Sequence, residues 1–159
     1  MSEARFTHLN DDGDARMVDV SGKDITVRSA TARGRVTVST EVVGMLRGAG
    51  VPKGDALAVA RIAGIQAAKR TPDLIPLCHP LAIHGVDVGL ELGDDFLEIT
   101  ATVRTADRTG VEMEALTSVA VAALAFIDMV KGVDRMAAIG GIELLEKRGG
   151  RSGTWVRPS

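Results

Sequence analysis

The chain of 159 residues is 45% hydrophobic and 25% charged, which is ordinary for one folded domain and excludes a largely disordered protein. Its net charge of −2 gives no overall positive field that would attract nucleic acid or an anionic membrane. Aromatic residues make up only 3%, with no tyrosine, so the chain lacks the stacking platforms of a single-strand nucleic-acid binder. We therefore predict neither a nucleic-acid nor a membrane partner.

The single cysteine, Cys78, has no partner for an internal disulfide, and the three histidines are not spaced as zinc ligands. No metal and no cofactor are predicted from this set. Residues 1–20 carry no apolar signal segment, and the apolar stretch 111–130 contains three acidic residues that disfavour a membrane span. These features predict a buried helix in a cytoplasmic protein.

Capping residues and apolar spacing predict the elements of the first half. Residues 1–16 are polar and rich in aspartate, and we expect them to form a mobile arm. β-Branched residues predict extended chain over 17–20 and 25–38, and helices are predicted from Ser39 or Thr40 to Arg47 and from Asp55 to Lys69.

The second half is expected to hold a hairpin, a long helix and a basic tail. Two prolines hold 75–80 extended, and alternating residues predict a hairpin of 84–92 with 96–104. A capping-box spacing at Thr109 and Glu112 opens a helix that runs to about Gly132. A strand pair over 136–139 and 142–145 precedes a mobile, glycine-rich tail at 147–159. This order predicts a single α+β domain of ferredoxin-like type, with helices packed on one face of an antiparallel sheet.

The helix over 111–130 is apolar on almost every face. A sheet within the same chain can cover only one side of such a helix. We therefore expect a neighbouring subunit to cover another side, which predicts an oligomer.

Two acidic positions at the ends of this helix have both a structural and a functional interpretation. Asp128 and Lys131 are spaced as an ion pair that ends the helix, or as an acid/base pair for proton transfer. Glu112 is a capping-box residue or a site residue. Sixteen residues separate Glu112 from Asp128, which is about 24 Å along a helix, so one small ligand can reach both only if the site is shared between subunits.

Other candidates also remain open between two interpretations. Cys78 and His79 are neighbours on extended chain and point apart, so they do not form a catalytic dyad. Cys78 is interpreted as a small core residue, whereas His79 either is buried or enters a cleft. Lys53, Lys69 and the arginines of 28–35 are solvated charges, or they form a local anion site with the glycine-rich tail. No GxxxxGK[ST] motif is present, which excludes a P-loop nucleotide binder.

Four segments carry a family resemblance. They are residues 58–81, which end in LCHPL; residues 108–124, which contain GVEMEALT, with DMVK at 128–131; LLEKRGGRSG at 144–153; and THLNDDGDARMVDVSGK at 7–23. They resemble the signature segments of the molybdenum-cofactor biosynthesis protein C family, the cyclic pyranopterin monophosphate synthases. The resemblance spans nearly the whole chain and departs at Arg108 and Arg151, where lysine is expected.

The resemblance implies a lyase assembled as a homo-hexamer of three dimers, with active sites at the dimer interfaces. The implied reaction rearranges 3′,8-cyclo-7,8-dihydroguanosine 5′-triphosphate to cyclic pyranopterin monophosphate with release of pyrophosphate. By motif match, the catalytic positions fall on Asp128, Lys131 and Lys53. The substrate-binding positions fall on Leu77, Cys78, His79, Met113 and Glu114, and further candidates are Glu112, Lys69 near the pterin and Arg28 near the phosphates.

An alternative from another class is a non-catalytic ferredoxin-like domain that binds a phosphorylated metabolite. Mere binding would not require the Asp128 and Lys131 pair together with Lys53. Turnover therefore discriminates between the two functions.

Overall fold

A computed structural model describes residues 6–48 and 55–159. The described residues form five strands and four helices. In chain order these are β1 (Thr26–Thr37), α1 (Thr40–Arg47), α2 (Ala56–Lys69), α3 (Thr71–Leu74), β2 (Ile83–Leu92), β3 (Phe96–Asp107), α4 (Glu112–Val130), β4 (Ala138–Arg148) and β5 (Trp155–Val156).

The strands form one sheet in the order β2-β3-β1-β4-β5, and every neighbouring pair is antiparallel. Helix α4 packs on β1, β3 and β4, and α2 packs on β2 and α4. One helical layer therefore covers one face of the sheet. The predicted ferredoxin-like α+β fold is confirmed.

Alternation along the central strands explains why the core lies between the sheet and the helices. On β3, Leu97, Ile99, Ala101 and Val103 are fully buried, while the residues between them are more exposed. Small residues on β1 let α4 come close: a Cβ added at Gly34 would lie 2.7 Å from Cγ1 of Val119. Helix α4 is long and apolar enough to cross a membrane by length and composition, yet half of that stretch is buried in this core, as predicted.

Two helix starts are determined locally, as the sequence predicted. The Ser39 hydroxyl accepts from the amide of Val42 at 3.3 Å, and Asp55 Oδ1 accepts from the amide of Ala58 at 2.9 Å. Each side chain satisfies an amide that the first helical turn leaves without a partner. The hairpin of β2 and β3 turns through residues 93–95, also as predicted.

Several local predictions were wrong. Residues 17–20 are not a strand. Residues 75–77 form a turn instead of extended chain, because the amide of Cys78 donates to the carbonyl of Ile75 at 3.1 Å. A short helix, α3, begins at Thr71, and Pro72 fits its first turn because an N–H is not needed there. The predicted strand pair over 136–139 and 142–145 is one strand, β4, which passes through Gly141 with φ +60° instead of turning back. Strand β4 continues to Arg148, and the glycine-rich segment lies between this residue and β5. Strand β5 pairs with Glu146 and Lys147 of β4.

Candidate active site

The start of α4 places two acidic side chains in different surroundings. Glu112 is the first helical residue, and α4 has no side-chain N-cap, so the predicted capping box is wrong. Thr109 Oγ1 instead donates to the carbonyl of Gly110 at 3.0 Å. The Glu112 carboxyl lies over Gly110, where any Cβ would collide with it. Glu112 therefore does not act as the predicted capping residue.

Glu114 is a buried acid, with 3% of its surface exposed. Burial raises its pKa from 4.5 to about 7, and repulsion from Glu112 acts in the same direction, against a hydrogen bond from its own amide. A carboxyl in this range is protonated for part of the time at neutral pH. It can therefore both give and accept a proton there.

Cys78 lies beside these two acids. Burial raises the pKa of its thiol, and the charges of Glu114 and then Glu112 raise it further. A thiol in this state is a weak nucleophile. The neighbouring His79 faces a different group, the carbonyl of Val18. The structure thus agrees with the prediction that the two side chains point apart.

His79 is held by a segment that we call the strap, residues 17–24. Nε2 of His79 lies 2.5 Å from the carbonyl oxygen of Val18. Arg108 fastens the other end of the strap, since its Nε donates to the carbonyl of Lys23 at 3.0 Å. A cavity of about 500 Å³ lies between the strap, His79 and Arg108. Of the two interpretations left open for His79, a position beside a cleft agrees with this cavity.

A second cavity, of about 530 Å³, lies on the Lys23 side of the strap. Among the described residues, its lining includes the cations Lys23, Arg28 and Arg151 and one acid, Asp24. The Nε of Arg28 donates to the carbonyl of Asp107 at 3.1 Å, which holds the guanidinium in place. Three cations around an open cavity suit a ligand with several negative charges.

Glycines of the tail make this arrangement possible. Gly149 and Gly150 have φ values of +89° and +75°, which disfavour other residues. A Cβ on Gly150 would collide with the Arg28 guanidinium. The Lys147 ammonium donates to the hydroxyl of Ser152, which ties the tail to β4. The predicted association of Arg28 with the glycine-rich tail is present.

Asp107, at the end of β3, lines the cavity beside His79, and its carbonyl accepts from Arg28 of the cationic cavity. One carboxylate oxygen of Asp107 accepts from the amide of Arg108 at 2.8 Å, and the other accepts from the amide of Ala82 at 3.3 Å. The Arg108 amide is the main cause that lowers the pKa of Asp107. Neither Asp107 as a site residue nor the strap as an element was predicted from the sequence. The repeated valines around Asp19 were the available signal, and they were interpreted as a strand.

Asp128 and Lys131 lie at the other end of α4. Lys131 Nζ donates to Asp128 Oδ1 at 2.5 Å, and the side chain of Lys131 is 57% exposed and that of Asp128 60%. The i,i+3 ion pair is therefore present. The helix places this pair about 24 Å from Glu112, so the chain by itself does not bring the two ends together.

The remaining candidates are dispersed. Leu77 is half-buried in the turn before Cys78, Met113 is 37% exposed, and Lys69 is exposed at the last residue of α2. Lys53 lies outside the residues that the structure describes. Within the described residues, no group of three or more His, Cys, Asp or Glu side chains is close enough to hold a metal ion.

Comparison with known proteins assigns the family. The MoaC family profile matches residues 17–150. Proteins named cyclic pyranopterin monophosphate synthase from Streptomyces coelicolor and Nocardioides sp. are 65% and 64% identical, over 96% and 99% of this chain and 90% and 98% of their own length. A Mycobacterium tuberculosis protein named cyclic pyranopterin monophosphate synthase 2 is 58% identical over 96% of this chain and 91% of its own length. The chain belongs to the MoaC family.

Proposed function

We propose that the chain is a cyclic pyranopterin monophosphate synthase of molybdenum cofactor biosynthesis. In this reaction, (8S)-3′,8-cyclo-7,8-dihydroguanosine 5′-triphosphate becomes cyclic pyranopterin monophosphate and pyrophosphate. The observation that carries the proposal is the adjacency of two cavities, one lined by cations and the other next to His79. Cys78 precedes His79 in the LCHP segment, and the charge of Glu114 on α4 contributes to the raised pKa of the Cys78 thiol.

The cationic cavity suits the triphosphate. Formation of a cyclic phosphate requires a sugar hydroxyl to attack the α-phosphorus while the bond to the pyrophosphate oxygen breaks. The leaving pyrophosphate gains negative charge in that step, and Arg28, Lys23 and Arg151 are placed to stabilise it. This step makes the enzyme a phosphorus–oxygen lyase. Arg28 can serve its own subunit or an adjoining one.

Opening the purine ring and closing the pterin ring require protons to move at the base. Glu114, with its pKa near 7, can exchange protons in this range. His79 would contribute a ring nitrogen from the wall of the neighbouring cavity. Leu77, Cys78 and Met113 would bind the base, with Lys69 beside it. Because the rearrangement involves no net electron transfer, we propose that it needs no bound redox cofactor.

We assign the catalytic acid and base to Asp128 and Lys131, together with Lys53, from a neighbouring subunit. The separation of about 24 Å between the ends of α4 is the reason for a shared site. Exposed apolar side chains on the helical layer support an interface: Ile62 is 65% exposed, Leu124 57% and Val59 41%. We propose a cytoplasmic homo-hexamer, a trimer of dimers, with the sites at the dimer interfaces.

Turnover of the proposed substrate tests the function. Purified protein should release one pyrophosphate for each cyclic pyranopterin monophosphate formed. Asp128→Asn should abolish turnover while keeping substrate affinity within a few-fold. Asp94→Asn, which neutralises an exposed acid in the β2–β3 turn, is the matched control and should leave turnover unchanged. Binding without turnover in the unmodified protein would instead establish the non-catalytic phosphometabolite domain.

A further inference from the structure

The strap holds His79 through an interaction that determines the position of one proton. A carbonyl oxygen can only accept a hydrogen bond, so the contact of His79 Nε2 with the carbonyl of Val18 requires a proton on Nε2. In a neutral imidazole the other nitrogen then carries the lone pair. Nδ1 is consequently the only ring atom of His79 that can accept a proton.

Short-range contacts fix the strap so that this carbonyl faces the ring. Asp19 Oδ1 accepts from the amide of Ser21 at 2.9 Å, and the Val20 carbonyl accepts from the amide of Lys23 at 3.0 Å. These two turns immediately follow Val18. Arg108 holds the far end through the Lys23 carbonyl. The orientation of the Val18 carbonyl is thus determined by these local turns and by one long-range hydrogen bond from Arg108.

Asp19 also lies near His79 in space. The pKa of Asp19 is lowered chiefly by its two hydrogen bonds with Ser21, and the charge of His79 lowers it further. Asp19, His79 and Arg108 line the same cavity. The strap therefore forms part of the wall against which a ligand would bind.

We propose that the strap is a positioning element for His79, in which the Asp19 turn directs the Val18 carbonyl onto Nε2 so that Nδ1 is the proton-accepting atom. The role of Nδ1 in turnover rests on the proposed synthase activity. The position of the proton on the ring does not depend on that activity, because it is a property of the protein without substrate.

Nitrogen-15 NMR of histidine-labelled full-length protein observes the ring directly. Protonated and unprotonated ring nitrogens resonate in separate ranges, and only His8, His79 and His84 contribute signals. His84 is an internal reference: its Nδ1 accepts from the amide of Ala106 at 3.2 Å, so it also carries its proton on Nε2. A His79→Gln spectrum assigns the His79 signals by their loss.

For the unmodified protein at a pH where the ring is neutral, we expect a protonated Nε2, an unprotonated Nδ1 and a resolved Nε2–H signal that exchanges slowly. Asp19→Ala removes the turn and should lose that proton signal to solvent exchange, while His84 stays unchanged. Asp19→Asn keeps an oxygen acceptor for the Ser21 amide and should restore the signal. Asn10→Ala, which breaks the separate turn at residues 10–14, is the control and should leave His79 unchanged.

Kinetics give the second readout. General acid–base catalysis contributes about 10²–10⁴-fold to a rate, so partial loss of positioning in Asp19→Ala should lower kcat about tenfold with little change in KM. Asp19→Asn should restore most of that loss. Equal losses in the two variants would show that the charge of Asp19 matters and not the turn, which would overturn the proposal.

The outcomes separate the two proposals. A proton on Nδ1 of His79 in the unmodified protein overturns the positioning role, whatever the activity. Absence of synthase turnover together with the expected ring signals overturns the proposed function but not the arrangement of the strap.

Discussion

Neutralising Glu114 should stabilise the protein while it removes a site residue. The pKa of Glu114 rises from 4.5 in the unfolded chain to about 7 in the folded protein, chiefly because the carboxyl is buried. At about 1.4 kcal/mol per pH unit, this difference corresponds to about 3 kcal/mol. Below pH 4.5 the carboxyl is protonated in both the folded and the unfolded state, so it does not lower the free energy of unfolding there. As the pH rises from 4.5 to about 7, the unfolded chain loses this proton first and the free energy of unfolding falls. Above about pH 7 this destabilisation is constant.

Glu114→Gln has a nearly identical shape and no charge to bury. Above pH 7 we expect this variant to be more stable by up to about 3 kcal/mol, or by about 6–12 °C in Tm for a chain of this size. Below pH 4.5 the two proteins should melt together. Thermal melts at several pH values between 4 and 8.5 measure the difference in Tm. The enzymatic activity of Glu114→Gln should fall, because a residue kept for function at the expense of stability is lost.

The control is Glu91→Gln, which removes a negative charge from the exposed face of β2. It should show no comparable gain in Tm between pH 4.5 and 7. A constant Tm difference between Glu114→Gln and the unmodified protein over this range would refute the reasoning, since it would mean that a nearby cation compensates the buried carboxylate.

Three further predictions follow from the site and the helical layer. Arg28→Ala should weaken the binding of pyrophosphate by tenfold or more in calorimetry, because a hydrogen bond to a charged group contributes about 1.5–3 kcal/mol; unchanged affinity would remove the cationic cavity from the proposal. Cys78 should react with iodoacetamide more slowly than a free thiol at pH 8, since burial raises its pKa, and Glu114→Gln should speed the reaction; rates equal to those of the unfolded chain would contradict this. Leu124→Asp should dissociate the oligomer in light scattering, because it places a charge on the exposed apolar surface, whereas an unchanged mass would exclude that surface from the interface.

Local signals in the sequence were sufficient for most of the fold. The caps Ser39 and Asp55 and the alternation along β2 and β3 depend on neighbouring residues alone, and these predictions were confirmed. The order of elements then left the ferredoxin-like sheet as the simplest way to bury them. The sequence-based predictions were wrong where contacts with residues distant in the sequence determine the backbone conformation. Residues 17–20 alternate in part as a strand does, but the strap that contains them is held by His79 and Arg108 instead of by a sheet.

The ion pair at the end of α4 was predictable from the sequence, but the geometry of the candidate site was not. A spacing of three residues predicts contact between Asp128 and Lys131, and the ion pair is present. The burial of Glu114 and its raised pKa depend on what packs over the start of α4, which sequence spacing does not record. The capping box at Thr109 was wrong because the helix starts at Glu112, which makes this glutamate the first helical residue and not the third.

Activity of mixed oligomers tests the shared site most directly. Asp128→Ala and His79→Ala are each expected to be inactive, because they remove opposite ends of the same site. If each site takes His79 from one subunit of a dimer and Asp128 from the other, equal mixing after reversible dissociation should recover about a quarter of the unmodified activity. Half of the dimers are then mixed, and one of the two sites in each mixed dimer is intact. No recovery in samples where tagged subunits prove that mixed dimers have formed would contradict the shared site.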